Sequence, residues 1–439
     1  MDPLVSTLVL ILLALFGARW SFSNVSVPPG PRLFFRTGTH FLLLGFLLGP
    51  AVLSFMTDEA LGQLFPLIAL GLGWVGFLFG LQLDREYLRE FPWTFHLFAL
   101  GQAVVAFGIF TGLAWLGLEV AGVGGEVPTL LILGAAATAC VSAPAGIAVV
   151  STNFLVRGPV RTLLFYAASV DAVVGILALQ ITYALFHPAD VILDLTRVAA
   201  LGWVVVAAGI GVICGILFLW LTRAKVEADE LVLYLLGIAA FSSGIALHLQ
   251  LSPLFVSVIM GAVVANLSPD RERIFSALQK WEKPIYVVLL LLSGALLRFP
   301  TPWIVVLGVG YALLRGAAKL GGGFVLSRIL PLEGPPPRRL GLGLVFQGGI
   351  SIAMAVSGLL TYQGLGYGDL NAVDLLFGTV ILGVILAELA GPLLATRVLR
   401  RAGEISPRVE EALARGDEQR AQKEAVRYAS PGPEDQAGP

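Results

Sequence analysis

Asp171 is the residue in this sequence whose chemistry most needs an explanation. It lies near the middle of an apolar segment, FYAASVDAVVGILAL, with no opposite charge within one helical turn on either side. An isolated charge in lipid costs at least about 2.5 kcal/mol, so such a residue either forms a structural ion pair or titrates and binds an ion. Apolar surroundings disfavour the charged form of a carboxyl group, so proton binding and cation binding can compete there. The segment therefore predicts a carboxylate that exchanges a proton for a cation.

A second group of ionisable residues lies later in the chain. Arg315 and Lys319 are four residues apart, so in a helix they share one face. Glu388 also falls deep in an apolar segment, and it can pair with either cation. One interpretation is a buried ion pair of Glu388 with Arg315 that has no role in function. The other is that these residues support an ion site.

Composition indicates what kind of element carries these residues. Of the 439 residues, 57% are hydrophobic and 13% are charged, whereas a soluble domain has about a quarter charged residues. A bilayer core needs roughly 20 apolar residues for each helical span, and such stretches recur along nearly the whole chain. The sequence therefore predicts an all-α polytopic membrane protein and excludes a soluble globular enzyme.

Thirteen apolar segments can be distinguished, and we number them spans 1 to 13. Their centres lie near Leu12, Leu44, Leu72, Val105, Ala139, Val173, Ala208, Ala239, Val258, Leu290, Ala312, Ser351 and Val384. Span 1, from Leu4 to Phe22, has Asp2 and no Lys or Arg before its apolar run, which is unlike a cleaved signal peptide. We therefore expect it to be retained as a membrane span.

The connections between spans alternate in charge. The odd-numbered connections are basic, with Arg32, Arg36, Arg85, Arg89, Arg157, Arg161, Arg223, Lys225, Arg271 through Lys283, Arg328, Arg338 and Arg339. The even-numbered ones carry Asp58, Glu59, Glu119, Glu126, Asp190, Asp194 and Asp369, with Arg197 and Arg298 against the trend. Because short basic loops stay cytoplasmic, the N-terminus is predicted outside and the C-terminus inside. We expect the inner (plasma) membrane of a prokaryote.

Residues 1–400 are predicted to form the transmembrane domain, and residues 401–439 a polar cytoplasmic tail that is partly disordered. Within this tail, a short helix is expected from about Pro407 to Tyr428. The net charge of -1 and four scattered histidines do not indicate a nucleic-acid partner, a resident metal or a cofactor. Cys140 and Cys214 lie in apolar segments, which favours buried thiols.

Spans 5 and 12 contain residues that weaken a helix. Span 5 reads AAATACVSAPAGIAVV and includes Pro144, while span 12 reads GLGLVFQGGISIAMAV and includes Gly348 and Gly349. Non-helical backbone at membrane depth is tolerated only inside protein or along a water-filled cavity, and half-helix ends carry partial charges suited to ions. Each is the fifth span of one half of the chain, with span 7 as linker, and the predicted topology inverts the halves. Alternatively, the small residues only permit close helix packing.

Polar side chains beside the two interruptions are candidates for ion binding. We expect Thr138 and Ser142 to assist Asp171, and Gln347 to support the second interruption. Gln102 and Gln180 are interpreted as hydrogen-bonding residues between helices, outside the site.

Several of these segments together resemble the monovalent cation:proton antiporter superfamily, in particular its Kef-type and Na+/H+ exchanger families. They are LLLGFLLGP in span 2, GLGWVGFLFGLQLD in span 3, Asp171 in span 6, HLQLSPLFVSVIMGAVVANLS in spans 8 and 9, Lys319 in span 11 and QGGIS in span 12. The likeness covers nearly the whole membrane part. One departure is Val170, since many relatives have an acidic residue, Asn or Gln directly before the aspartate.

The resemblance implies an inverted-repeat fold in which two discontinuous helices, spans 5 and 12, cross near the bilayer centre. It implies a moving core of spans 4–6 and 11–13, and a homodimer formed through spans 1–3 and 8–10. It places the family's essential aspartate at Asp171 and its conserved lysine at Lys319. In relatives with two acids the first can pair with the lysine, so here Lys319 would be neutralised by Glu388 or Asp171.

Residues and resemblance together predict a secondary antiporter that exchanges Na+ or K+ for protons by alternating access. Asp171 is expected to be the shared binding group, with one-for-one electroneutral exchange. Two alternatives stay open: a carrier of a small organic anion that relies on Arg315 and Lys319, and a non-transporting membrane protein. No metal-ligand cluster and no nucleophile with a nearby base is recognisable, which argues against an intramembrane enzyme.

Overall fold

The structure is a computed structural model. It describes residues 12, 38–122, 125–187, 200–223, 227–299, 301–332, 339–362, 366–367, 370–414, 420 and 423–424. These residues form helices joined by connections, together with one small β-hairpin. The predicted span 1 lies outside the described residues, apart from Leu12.

Helices of the first half lie where spans 2 to 6 are predicted. They are α1 Thr39–Leu48, the short α2 Asp58–Gln63, α3 Phe65–Leu81, the short α4 Arg85–Arg89, α5 Trp93–Val120, α6 Glu126–Ala139, α7 Pro144–Asn153 and α8 Pro159–Leu185. Span 5 consists of α6 and α7, and span 6 is α8. The linking span 7 is α9 Ala200–Leu221.

Helices of the second half account for spans 8 to 13. They are α10 Ala228–His248, α11 Pro253–Leu267, α12 Arg271–Ala295, α13 Trp303–Ile329, a 3-10 helix Leu340–Leu344, α14 Gly348–Thr361, α15 Ala372–Arg401 and α16 Pro407–Ala414. An antiparallel hairpin of β1 Gly366–Tyr367 and β2 Leu370–Asn371 precedes α15. Span 12 consists of the 3-10 helix and α14.

Length and apolar composition make most of these helices membrane spans. Among the described residues, seven helical segments are long and apolar enough to cross a bilayer, with α6 and α7 taken as one segment. The helices α3, α11 and α14 are shorter but also apolar. The prediction of an all-α, multi-pass membrane protein is therefore confirmed.

The charged stretch from Arg271 to Lys283 differs from its prediction. It is expected to be a connection, but it forms the first half of α12, which continues through Pro284. The residues Ile274, Ala277 and Leu278 are buried, and their spacing puts them on one face of a helix. A helix with one buried face and one charged face is therefore stable here. The tail helix begins at Pro407 as predicted, and most of its predicted range after Ala414 lies outside the described residues.

The helices form two groups by their contacts, and one buried apolar cluster runs through both. In the first, α3 lies against α10, α11 and α12, and α1 lies along α12. In the second, α5 packs against α8 and α13, and α15 packs against α13 and α14. The linking helix α9 contacts α11 of the first group and α8 of the second. That these groups are a dimerisation bundle and a moving core stays a prediction.

Ion pairs join connections that the charge alternation assigns to the same side. Arg271 pairs with Asp84 at 2.9 Å and with Glu86 at 2.6 Å, which links the ninth connection to the third. Arg298, which runs against the trend, pairs with Asp58 of the second connection. Because each pair joins two odd or two even connections, Arg298 does not contradict the predicted alternation.

Glu404 attaches the segment after α15 to the N-terminus of α8. Its carboxylate accepts hydrogen bonds from the backbone N–H groups of Val160, at 2.6 Å, and Arg161, at 2.8 Å, where negative charge is favourable. Gly158 leaves room for this contact, since a Cβ there would lie 2.3 Å from the carboxyl carbon of Glu404. Burial raises the pKa of Glu404, an effect larger than the lowering by the two N–H donors.

Candidate functional site

The two interruptions lie against each other within the second helix group. Residues 140–143 separate α6 from α7, and residues 345–347 separate the 3-10 helix from α14. The backbone N–H of Ala143 donates a hydrogen bond to the carbonyl oxygen of Phe346 at 3.0 Å. The predicted pair of crossed, discontinuous helices is therefore present.

Proline and glycine determine where each helix resumes. Pro144 is the first residue of α7, where the missing N–H has no helical partner to lose. Gly348 begins α14 with a φ of 62°, which favours glycine, and a Cβ there would lie 2.6 Å from the Cβ of Ala143. Gly349 lets α12 approach, because a Cβ at this position would lie 2.2 Å from the Tyr286 hydroxyl.

Asp171 lies on α8 and faces the first interruption, with its side chain fully buried. Its Oδ1 accepts a hydrogen bond from the Ser142 backbone N–H at 3.0 Å. Its Oδ2 accepts from the Ser142 hydroxyl at 2.6 Å, Lys319 Nζ at 2.8 Å and Gln102 Nε2 at 3.2 Å. All these groups donate, which suits an ionised carboxylate because it can only accept.

Lys319 on α13 is the charged partner of Asp171. Both side chains are 0% exposed, and the ammonium also donates to the carbonyl oxygen of Cys140. No opposite charge lies within a helical turn of Asp171 along its own helix, and its partner comes instead from a residue 148 positions away in the chain. Asp171 and Glu388 are the two groups expected to neutralise Lys319, and in the structure Asp171 forms the ion pair. Removing one partner of such a buried pair costs about 3–5 kcal/mol, because the other charge is left uncompensated.

Arg315 is also fully buried, but its guanidinium binds backbone carbonyl groups. It donates to Val141 at 2.7 Å, Phe346 at 3.1 Å, Leu344 at 3.3 Å, and Val345. These carbonyl groups belong to both interruptions, where helix ends carry partial negative charge. Arg315 therefore holds the two interruptions together. The anion-carrier alternative depends on this guanidinium, which the backbone already occupies.

Glu388 on α15 lies at the other side of the second interruption. Its Oε1 accepts hydrogen bonds from the backbone N–H groups of Gly348, at 2.9 Å, and Gln347, at 3.3 Å. A carboxylate in this position complements the positive N-terminus of α14. None of the ion pairs found among the described residues joins Glu388 to Arg315 or Lys319, so the structure does not support the interpretation of a Glu388–Arg315 ion pair.

Thr138 and Gln347 belong to a separate hydrogen-bond network around Tyr311. The Tyr311 hydroxyl lies 3.0 Å from Thr138 Oγ1 and accepts from Gln347 Nε2 at 2.5 Å. Gln347 Nε2 also donates to the carbonyl oxygen of Thr138 at 3.0 Å. Arg315 and Lys319 follow Tyr311 at intervals of four residues on α13, which places this network and the ion pair along one helix face. A role for Thr138 in ion binding stays a prediction.

Gln102 and Tyr311 contact the site but are absent from the sequence-based set. Gln102, expected to lie outside the site, donates to Asp171. The four-residue spacing of Arg315 and Lys319 extends back to Tyr311, which is a signal that the sequence does contain. For Gln102 no such signal exists, since Gln180 is an equally buried glutamine and its amide has no hydrogen-bond partner among the described residues.

Ser142 connects Asp171 to the second interruption. Its hydroxyl oxygen lies 2.6 Å from Asp171 Oδ2 and 2.9 Å from the Leu344 carbonyl oxygen. A hydroxyl has one proton to donate, so it serves one of these acceptors at a time. Ser142 thereby links the carboxylate of Asp171 to the backbone of span 12.

The atoms around the Lys319 ammonium are oxygens that also suit a cation. Asp171 Oδ2 and the Cys140 carbonyl oxygen both accept from this ammonium, and hard cations prefer such carboxylate and carbonyl ligands. Within the described parts of the chain, no three His, Cys, Asp or Glu side chains are grouped to hold a metal ion. Binding of a cation at these two oxygens stays a prediction.

Comparisons with known proteins identify the family. The family model described as the transmembrane sodium/hydrogen exchanger matches residues 11–400. The fold is similar to that of the sodium proton antiporter MjNhaP1 from Methanocaldococcus jannaschii, with a TM-score of 0.60 and 15% identity over 91% of this chain and 100% of that chain. A search of the curated proteins found no match. Because the family match spans most of the chain, the protein belongs to the sodium/hydrogen exchanger family of membrane transporters.

Proposed function

We propose that the protein exchanges a monovalent cation for protons, and that the cation and the protonated Lys319 compete for Asp171. The observation that carries this proposal is the fully buried ion pair of these two side chains beside two interrupted helices. A buried carboxylate needs one positive partner, and an ammonium or a metal cation can serve in turn. Membership of the exchanger family supports cation:proton antiport.

Charge balance predicts the stoichiometry. With Lys319 protonated, the charges of Asp171 and Lys319 sum to zero. With a cation on Asp171 and Lys319 neutral, the sum is again zero. States in which the carboxylate has both partners or neither leave an uncompensated buried charge and are disfavoured. One cation therefore exchanges for one proton, and the proton is carried on the ammonium, which refines the expectation that Asp171 itself takes it.

Alternating access requires the second helix group to move against the first. Where α12 meets the second interruption, Tyr286 lies against Gly349. Because glycine has no side chain to interlock with Tyr286, this contact favours sliding of α14 along α12. We propose that the second group carries the site and that the first group forms a homodimer.

The proposed orientation has the basic connections and the tail in the cytoplasm. The native thiols Cys140 and Cys214 are buried and free, so a single introduced cysteine can report the side. Arg408→Cys should react with a membrane-impermeant thiol reagent in everted vesicles but not in intact cells. Labelling in intact cells would contradict the orientation.

Asp171→Asn tests the carboxylate. The change keeps the shape of the side chain but removes its charge, so cation-induced proton movement in everted vesicles should be lost while the protein still inserts in the membrane. Asp270→Asn, which removes an exposed carboxylate beside α12, is the matched control and should transport normally. Full exchange by Asp171→Asn would refute the proposed site.

Two measurements on the wild type address the ion and the stoichiometry. Separate additions of Na+, K+ and Li+ over a pH series identify the transported cation. In proteoliposomes, electroneutral exchange should run at the same rate with and without an imposed membrane potential. A rate that follows the potential would contradict one-for-one exchange.

A further inference from the structure

Gln102 has an unused oxygen beside the proposed exchange site. Its side chain is fully buried on α5, and its Nε2 donates to Asp171 Oδ2 at 3.2 Å. Its Oε1 is also buried and has no hydrogen-bond partner within the described part of the chain. Buried acceptors are nearly always paired, so an unpaired one next to a binding site needs a chemical explanation.

The surroundings of Gln102 are those of a cation ligand. Its amide converges on the same carboxylate oxygen as the Lys319 ammonium and the Ser142 hydroxyl. A cation that replaces the ammonium would therefore lie within reach of this amide. Amide carbonyl oxygens bind hard cations, as carboxylate and backbone oxygens do.

We propose that Gln102 is a cation ligand of the exchange site and that its amide turns between two orientations. This inference rests on the proposed function, in which a cation replaces the ammonium at Asp171. With the ammonium bound, Nε2 faces the carboxylate, as in the structure. With the cation bound, a half-turn about the terminal side-chain torsion presents Oε1 to the ion. This torsion is broad and roughly two-fold in glutamine, so the backbone does not need to move.

A ligand on α5 also contributes to selectivity. The other proposed ligands come from α8 and from the junction of α6 and α7, so Gln102 limits the space for the ion from a separate helix. Li+, Na+ and K+ differ in radius, and a ligand fixed on one side favours one radius over the others. If Gln102 only donates to Asp171, its removal changes the binding of all three ions by the same factor.

Gln102→Leu tests this role, because it replaces the amide with an apolar side chain of similar size. The half-saturating concentrations of Li+, Na+ and K+ are measured in proteoliposomes at one pH. We expect the value for the preferred cation to rise about tenfold, which corresponds to about 1.4 kcal/mol. We also expect the ratios among the three cations to change while the maximal rate is retained.

Gln180→Leu is the matched control. It removes another fully buried glutamine, from α8, whose amide makes no hydrogen bond to any described residue. Its three half-saturating concentrations should equal those of the wild type. The same change in ratios in this control would overturn the assignment, because the effect would then not depend on contact with Asp171.

An equal change for all three cations, or no change, in Gln102→Leu also overturns the ligand role. If Gln102→Leu does not fold, Gln102→Asn is measured instead. Asparagine keeps an amide but is shorter by one methylene, so unchanged ratios among the three half-saturating concentrations would overturn the proposal. Asp171→Asn separates the two proposals. If Asp171→Asn retains exchange, the proposed function is refuted. If Asp171→Asn loses exchange but the Gln102 variants keep the wild-type ratios of the half-saturating cation concentrations, only the ligand role of Gln102 is refuted.

Discussion

Breaking the Asp171–Lys319 pair from one side should destabilise the protein, and breaking it from both sides should restore much of the loss. Asp171→Asn leaves a buried ammonium, and Lys319→Met leaves a buried carboxylate. Each change should lower the free energy of unfolding by about 3–5 kcal/mol, without reduction by solvent screening because both side chains are 0% exposed. The double variant has no uncompensated charge, and such neutral replacements are often close to neutral in stability. The coupling energy should therefore reach about 3 kcal/mol or more.

Equilibrium unfolding in mixed detergent micelles measures these free energies for the wild type, both single variants and the double variant. Lys280→Met, at an exposed position of α12, is the matched control and should change stability by less than about 0.5 kcal/mol. Coupling near zero would refute the ion pair as the source of the losses.

The same variants test competition between cation and ammonium. In Lys319→Met the carboxylate of Asp171 lacks its partner, so the transported cation should stabilise this variant more than the wild type. At a concentration 100 times its dissociation constant, a bound cation adds about 2.7 kcal/mol. A variant that gains no stability from any of Li+, Na+ and K+ would contradict the proposal that a cation takes the place of the ammonium.

Three further substitutions test the surroundings of the site. Gly348→Ala should lower the free energy of unfolding by about 1–3 kcal/mol, because the φ of residue 348 is 62° and a Cβ there would lie 2.6 Å from the Cβ of Ala143. A thermal unfolding curve equal to that of the wild type would contradict this close crossing of the two interrupted helices. Arg315→Lys keeps the charge but loses the planar fork that reaches both interruptions, so the transport rate in vesicles should fall at least about tenfold, and a normal rate would refute that role. Glu404→Gln removes a carboxyl group whose pKa is raised by burial, so the folded wild type binds this proton more tightly than the unfolded chain does. Relative to Glu404→Gln, the wild type should therefore gain stability as the pH falls, and a difference in melting temperature that stays constant between about pH 5 and pH 8 would contradict this linkage.

Membrane residence and the two interruptions could be predicted from the sequence because both depend on local properties. A span requires only a sufficient apolar length. Pro144 and Gly348 act through their own backbone conformations, so their effect does not depend on distant residues. The charged half of α12 could not be assigned in the same way, because its helix depends on a face that packs against neighbouring helices as well as on its charge content.

The pairing of the buried charges was decided only by the tertiary structure. The sequence indicates that Asp171, Lys319, Arg315 and Glu388 each need compensation, since isolated charges are costly in lipid. Which partner each one finds depends on how α8, α13 and α15 are rotated around the two interruptions. Those rotations bring Lys319 into contact with Asp171, 148 residues away in the chain. They also place Arg315 where it donates to backbone carbonyl groups, and Glu388 where it accepts from backbone N–H groups.

The sequence alone was enough to identify Asp171 as a candidate functional residue, because a carboxyl group deep in an apolar segment is unusual whatever its neighbours are. Its neighbours were determined only in part, since Ser142 was expected beside it but Gln102 was not. Gln102 and Gln180 are both glutamines in apolar spans, and only the packing of α5 against α8 places one of them on the carboxylate. The physical reason is that a hydrogen bond requires two groups within about 3 Å, and helix packing alone sets which side chains of distant segments come that close.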